Sequence, residues 1–219
     1  FEGIEIIFTD PARALPLLRD AYAAADSQSA QLTYAHILGI LGDPAGAGTL
    51  AEAVRAREWD QGWKYTGMGQ YGASMSPLDS MIIALGRTRR PEAPEPILAK
   101  VAQLGPEHVL SHHRAVAMAL EALGAPAAAQ PLAALLQKPG MAGHAYPNLD
   151  AATKQIPPSG TDTTTRECSL RELILARALF RCGDHQGLGE KILKQYAQDL
   201  RGHYARHALA ILQEKPDQK

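Results

Sequence analysis

Four stretches of the chain repeat one apolar rhythm: "YAHILGILGDP" (34–44), "LDSMIIALGRT" (78–88), "RAVAMALEALGAP" (114–126) and "LILARALFRCGD" (173–184). Aligned on Gly42, Gly86, Gly124 and Gly183, the residue just before each glycine is Leu41, Leu85, Leu123 or Cys182. Four positions before it stand Leu38, Ile82, Leu120 and Leu179, and seven before it Ala35, Asp79, Ala117 and Ala176. Positions spaced this way fall on one face of a helix, so the pattern predicts a buried helical stripe repeated four times. A glycine directly after each stripe predicts a left-handed stop.

Each stop precedes a second apolar pair at helical spacing. Leu50 and Val54 follow Gly42, Leu132 and Leu136 follow Gly124, and Ile97/Val101 and Ile192/Tyr196 repeat the i, i+4 pair in the other two copies. Asp43-Pro44 reads as an N-cap with proline at the first helical position. Ser76-Pro77-Leu78-Asp79 and Ser169-Leu170-Arg171-Glu172 fit the capping-box pattern, in which a serine side chain and an acid three residues on satisfy each other's backbone N–H. The predicted unit is helix, glycine turn, helix. A short extended piece is expected only in "FEGIEIIF" at the start.

The strings "ILGDPAGAGTLAEAV" and "LEALGAPAAAQPLAALL" resemble the HEAT-repeat family, including its short bacterial lyase-type variants, and the resemblance covers most of residues 10–213. It implies an all-α fold, a HEAT-like right-handed helical-repeat solenoid (an α–α superhelix) of about four helix pairs, in a single domain over 1–219. Copies two and four depart from the pattern: Gly86 is followed by "RTRRPEAPEP", and Gly183 is preceded by Cys182. The motif itself says almost nothing about a ligand; because no catalytic set assembles among these residues, a non-catalytic interaction or scaffold domain working through its edge loops is expected. The strings "GWKYTGMGQYGASMSPLDSMIIALGRT", "SHHRAVAMALEALG", "PGMAGHA" and "SLRELILARALFRCGD" are similar to the helical C-terminal part of bacterial FAD-dependent oxidoreductases, some of them named xanthan lyases. That likeness implies a parent enzyme with FAD in another domain, and an aromatic loop that meets the flavin domain or a carbohydrate substrate. These residues hold no strand–GxGxxG–helix, so no cofactor is expected in this chain.

Two insertions interrupt the repeat, at 58–75 and 138–166 ("KPGMAGHAYPNLDAATKQIPPSGTDTTTR"). Both join the second helix of one unit to the first helix of the next, so in a stacked array they emerge on the same edge. Together they are expected to form a rim carrying Trp63, Tyr65, Tyr71, His144 and Tyr146. Such loops cap neighbouring helices, contact a partner or another domain, or hold a sugar or other small molecule, and aromatics suit all three. His112-His113 opens a predicted helix, where a protonated ring is disfavoured and an anion welcome, so hydrogen bonding to a neighbouring loop or an anion contact is expected. His203 and His207 stand at i, i+4 without a third ligand at helical spacing and read as a solvated, partly packed pair. No serine sits in a GxSxG elbow, and Asp60 and Asp79 form no recognisable acid pair.

Composition narrows the partners. Residues 164–219 hold ten Lys/Arg against seven Asp/Glu within a chain of net charge −1, which is too even for a nucleic-acid footprint. The hydrophobic share of 46% includes no run of about 18 apolar residues, so no membrane span is expected and the chain reads as soluble. Expected partners are therefore a protein or another domain of the same polypeptide, or a carbohydrate. The chain opens on Phe1 without an initiator Met or cleavable leader, and it reads as a fragment of something larger. Cys168 and Cys182 fall about 21 Å apart on one predicted helix, beyond the roughly 7 Å a disulfide tolerates, so both are expected as free thiols.

Overall fold

The computed structural model describes residues 9–60, 75–155 and 163–214. Its elements are eleven α-helices with two 3₁₀ turns, and no strand occurs among the described residues. They are α1 (Pro11–Ala23), α2 (Gln28–Ile40), α3 (Ala47–Ala56), α4 (Pro77–Arg87), α5 (Pro94–Gln103), α6 (Leu110–Leu123), α7 (Ala129–Leu136), α8 (Leu149–Thr153), α9 (Thr164–Arg181), α10 (Leu188–Tyr196) and α11 (Gly202–Gln213). None of them is long and apolar enough to cross a membrane, among the residues described.

Helices α2, α4, α6 and α9 pack side by side in chain order, with α1 against α2 at one end. Behind them α3, α5 and α7 follow one another, each resting on the next helix of the first row: α3 on α4, α5 on α6, α7 on α9. Helix α10 packs on α9, and α11 closes against α10. The core is the seam between the rows. Leu38, Ile82, Leu120 and Leu179 are wholly buried there, as are Ala35, Asp79, Ala117 and Ala176. The second-helix pairs Leu50/Val54, Ile97/Val101, Leu132/Leu136 and Ile192/Tyr196 bury against them. The position just before the glycine is less uniform: Leu85 and Cys182 are buried, whereas Leu41 and Leu123 are half-exposed.

The buried Leu85 traces to Gly86. Gly42, Gly124 and Gly183 have positive φ and stop their helices as expected, but Gly86 does not, and the left-handed residue after α4 is Arg89 (φ 52°). Gly86 lies inside α4, where a Cβ would stand 2.5 Å from Ala119 Cα. It is therefore a contact glycine between helices. Gly39 of α2 stands in the same way against Ala84, three residues before its own left-handed stop. Counted from Arg89, copy two shifts by three residues, which brings Leu85 into register with Leu38, Leu120 and Leu179, all fully buried.

The helix starts separate real caps from apparent ones. Ser76 and Asp79 form the full capping box at α4. Ser169–Glu172 does not cap anything, because α9 begins five residues earlier at Thr164, and Ser169 and Glu172 are buried within it. Asp43 precedes α3 without capping it: the helix starts at Ala47. The Asp43 carboxylate turns instead to Ala45 N (2.9 Å) and to Arg19 of α1. Asp184 performs the capping expected of that position at α10, accepting from Gly189 N (2.6 Å) and Glu190 N (3.0 Å).

Candidate functional site

The inter-unit loops share one device. His112 and Arg171 each stand twelve residues before the left-handed glycine that ends their helix, and each points a buried polar group into the loops at the edge. Arg171 donates to Pro106 O (2.8 Å) and Gly140 O (3.0 Å), which ties the 104–109 turn to the second insertion. His112 Nε2 donates to Asp60 O (3.1 Å), and its Nδ1 shares a hydrogen bond with the buried Asp79 Oδ1 (2.7 Å). Trp59 lies against the His112 ring with centroids 4.4 Å apart, and the Asp60 carboxylate accepts Leu78 N of α4 (3.2 Å). His113, one residue on, donates from Nδ1 to Val109 O (3.1 Å), and burial drives its pKa down to about 4, so it is neutral.

Besides Arg171, three charged side chains hold the second insertion. Glu172, wholly buried on α9, accepts Gly143 N and His144 N (both 2.8 Å) and the Tyr196 hydroxyl (2.9 Å). Asp199 accepts Tyr146 N (2.7 Å), and Leu200 N donates to Tyr146 O (2.9 Å). Arg201 forms a two-pronged pair with Asp199 (2.8 and 2.7 Å) and donates to Ser169 Oγ (2.8 Å) and His144 O (2.9 Å). Its guanidinium lies over the Tyr146 ring at 3.7 Å and the Tyr204 ring at 4.4 Å, a cation between two aromatic faces. Burial by itself would raise the Asp199 pKa, but the bonds from Arg201 and Tyr146 N outweigh it and hold the carboxyl below its ordinary value. The insertion also contains the short helix α8, capped by Asn148 through Ala151 N (2.9 Å).

Beside this clamp lies an open groove of about 600 Å³ lined by Tyr146, Gln155, Thr165, Arg166, His203 and Tyr204, with Arg201 at its base. A volume of this order is in the range of ligand pockets. Thr165 and Arg166 stand in the first turn of α9, His203 and Tyr204 in the first turn of α11. The His203 ring packs on Tyr204 with centroids 4.0 Å apart, and His207 faces Arg177 across 3.4 Å. Among the described residues no three His, Cys, Asp or Glu side chains are grouped to hold a metal ion.

The expected contact residues thus divide. Tyr146 borders the groove, and His144 sits half-buried beside it with Nε2 donating to Gly140 O (3.1 Å). His112 makes the expected hydrogen bond to a neighbouring loop, at Asp60 O of the first insertion, but the expectation of a partner or ligand contact at His112 and His113 is corrected, because both are buried. Trp63, Tyr65 and Tyr71 lie outside the described residues, as do "FEGIEIIF" up to Phe8 and the meeting of the two loops. Cys168 and Cys182 are free, the latter buried with its thiol pushed up to about 12 by burial and by Glu121. Sequence reasoning missed Glu172 as a loop anchor, the Asp79–His112 pair across 33 residues, and Arg201, whose partners lie 2 to 57 residues away. The only available hint was an acid or base on an otherwise apolar helical face.

No protein-family model, curated protein or solved structure matches this chain. The class the fold defines is an all-helical protein of paired, stacked helices.

Proposed function

We propose that this chain is a non-catalytic interaction or scaffold domain, its helix pairs forming a HEAT-like right-handed solenoid that presents the edge loops 58–75 and 138–166 to a protein partner or to another domain of its own polypeptide. The carrying observation is how the buried charges are used. Glu172, Asp199 and Arg201 all bind main-chain groups of residues 143–146. A loop fixed in this way is pre-organised, so that binding costs little further ordering. Two of the buried groups that could do acid–base or nucleophilic work are engaged within the fold: both nitrogens of His112 are bonded, and the Cys182 thiol is buried and held protonated.

The test is site-specific photo-crosslinking in cells of the protein's own source, with the photoreactive residue at position 146. Glu52, exposed on α3, serves as the control position. Discrete protein adducts at 146, absent from 52, are expected. Equal adducts from both positions, or turnover of a substrate by this chain alone, would refute the proposal. An experimental structure whose helix pairs superhelically turn left-handed would end the solenoid part of it.

A further inference from the structure

The groove beside Tyr146 carries an unbalanced charge. Arg201 is neutralised by Asp199, which is buried and spent on that pair and on Tyr146 N. Arg166 is exposed on the rim and makes no ion pair among the described residues. Tyr204, 4% exposed, feels both cations: burial raises its hydroxyl pKa, and Arg201 and Arg166 act against that rise. Gln155 and Thr165 add neutral hydrogen-bonding groups on the same wall.

We propose that this groove is a carboxylate-binding site, filled by an acidic side chain on an extended segment of the partner polypeptide, with Arg166 forming the ion pair. The inference rests on reading the 138–166 rim as a contact surface. A guanidinium with no carboxylate partner among the described residues matches a carboxylate in charge and in its two-pronged geometry. A sugar ring fits less well, because sugars stack on open aromatic faces. The Tyr146 ring is covered by Arg201 at 3.7 Å, and the buried Tyr204 ring is flanked by Arg201, His203 and Tyr196.

The experiment titrates the full chain with acetyl-Ala-Glu-Ala-Glu-Ala-amide, its glutamine counterpart, trigalacturonate and sodium acetate, read by calorimetry and by NMR shifts of His203 and Tyr204. The glutamate peptide is expected to bind more weakly as salt rises and the glutamine peptide about tenfold less tightly. Arg166→Gln should weaken the glutamate peptide by about fivefold or more while leaving Tm unchanged, since Arg166 is exposed and makes no ion pair among the described residues. Equal binding of the two peptides, no binding of either, or indifference to Arg166→Gln overturns the site. Trigalacturonate binding more tightly than the peptide overturns the polypeptide occupant, and saturation by acetate alone overturns the need for any chain. Crosslinks at position 146 together with a flat Arg166 titration would sink this inference alone, whereas missing crosslinks sink the broader function.

Discussion

Replacing Gly86 by alanine tests whether the first-row helices touch backbone to backbone. A Cβ at Gly86 would stand 2.5 Å from Ala119 Cα and 2.6 Å from both Ala119 Cβ and Ala119 O. Carbon atoms settle at about 3.5–4.0 Å, so α4 and α6 would have to part by roughly 1 Å. No side chain there can rotate away, because the nearest atoms belong to the main chain or to its Cβ. In an unhindered helix the same change is favourable by about 1 kcal/mol. Overpacking costs about 1–3 kcal/mol and sometimes more, and a backbone clash belongs at the upper end. The net expectation is a loss of about 2 kcal/mol, or roughly 4–8 °C in Tm for a chain of this size. Gly48→Ala supplies the control: Gly48 lies in α3 with nothing within 4 Å of its added Cβ, so that variant should gain up to about 1 kcal/mol. Urea and thermal unfolding of the two variants beside the parent decide it. If Gly86→Ala is as stable as Gly48→Ala, the helices are not in backbone contact and Gly86 is a free position.

Leu120→Ala removes a fully buried side chain from the central stripe and should cost about 2–5 kcal/mol in urea unfolding, with exposed Leu17→Ala near neutral. His113 sits at about 4 when folded and near 6.5 when unfolded, so the unfolded chain binds the extra proton first. Its contribution is intact above pH 6.5 and is lost as pH falls from about 6.5 to 4, by an amount on the order of 3 kcal/mol that His113→Asn should remove from the pH–stability curve. A thiol reagent should modify both cysteines after denaturation without reductant, and in the native state it should reach half-buried Cys168 well before Cys182; a protected pair after denaturation would refute the free thiols. Glu172→Gln replaces an acceptor of three hydrogen bonds with a group that must also donate, so backbone amides at 143 and 144 should exchange faster with solvent deuterium while α2–α4 stay protected.

What the sequence determined by itself is what depends on neighbours within a helical turn or two. The spacing of Leu38, Ile82, Leu120 and Leu179 marks the buried stripe whatever packs against it. The stops at Gly42, Gly124 and Gly183 and the box at Ser76–Asp79 are satisfied within a few residues. The distance between Cys168 and Cys182 follows from helical rise alone. What only the tertiary structure decided depends on partners far along the chain. "SLRE" at 169–172 and "SPLD" at 76–79 carry the same local signal, but Ser169 and Glu172 find His144 25 to 28 residues away, and α9 runs straight through them. Gly86 looks like a stop until Ala119 of the neighbouring helix occupies the space its side chain would need. His112 and Arg171 look like surface polar residues at helix starts, yet each is buried because loop carbonyls, brought over by stacking, replace the water it loses. Local rules place a residue on a face. Which atoms that face meets is fixed only when the helices assemble.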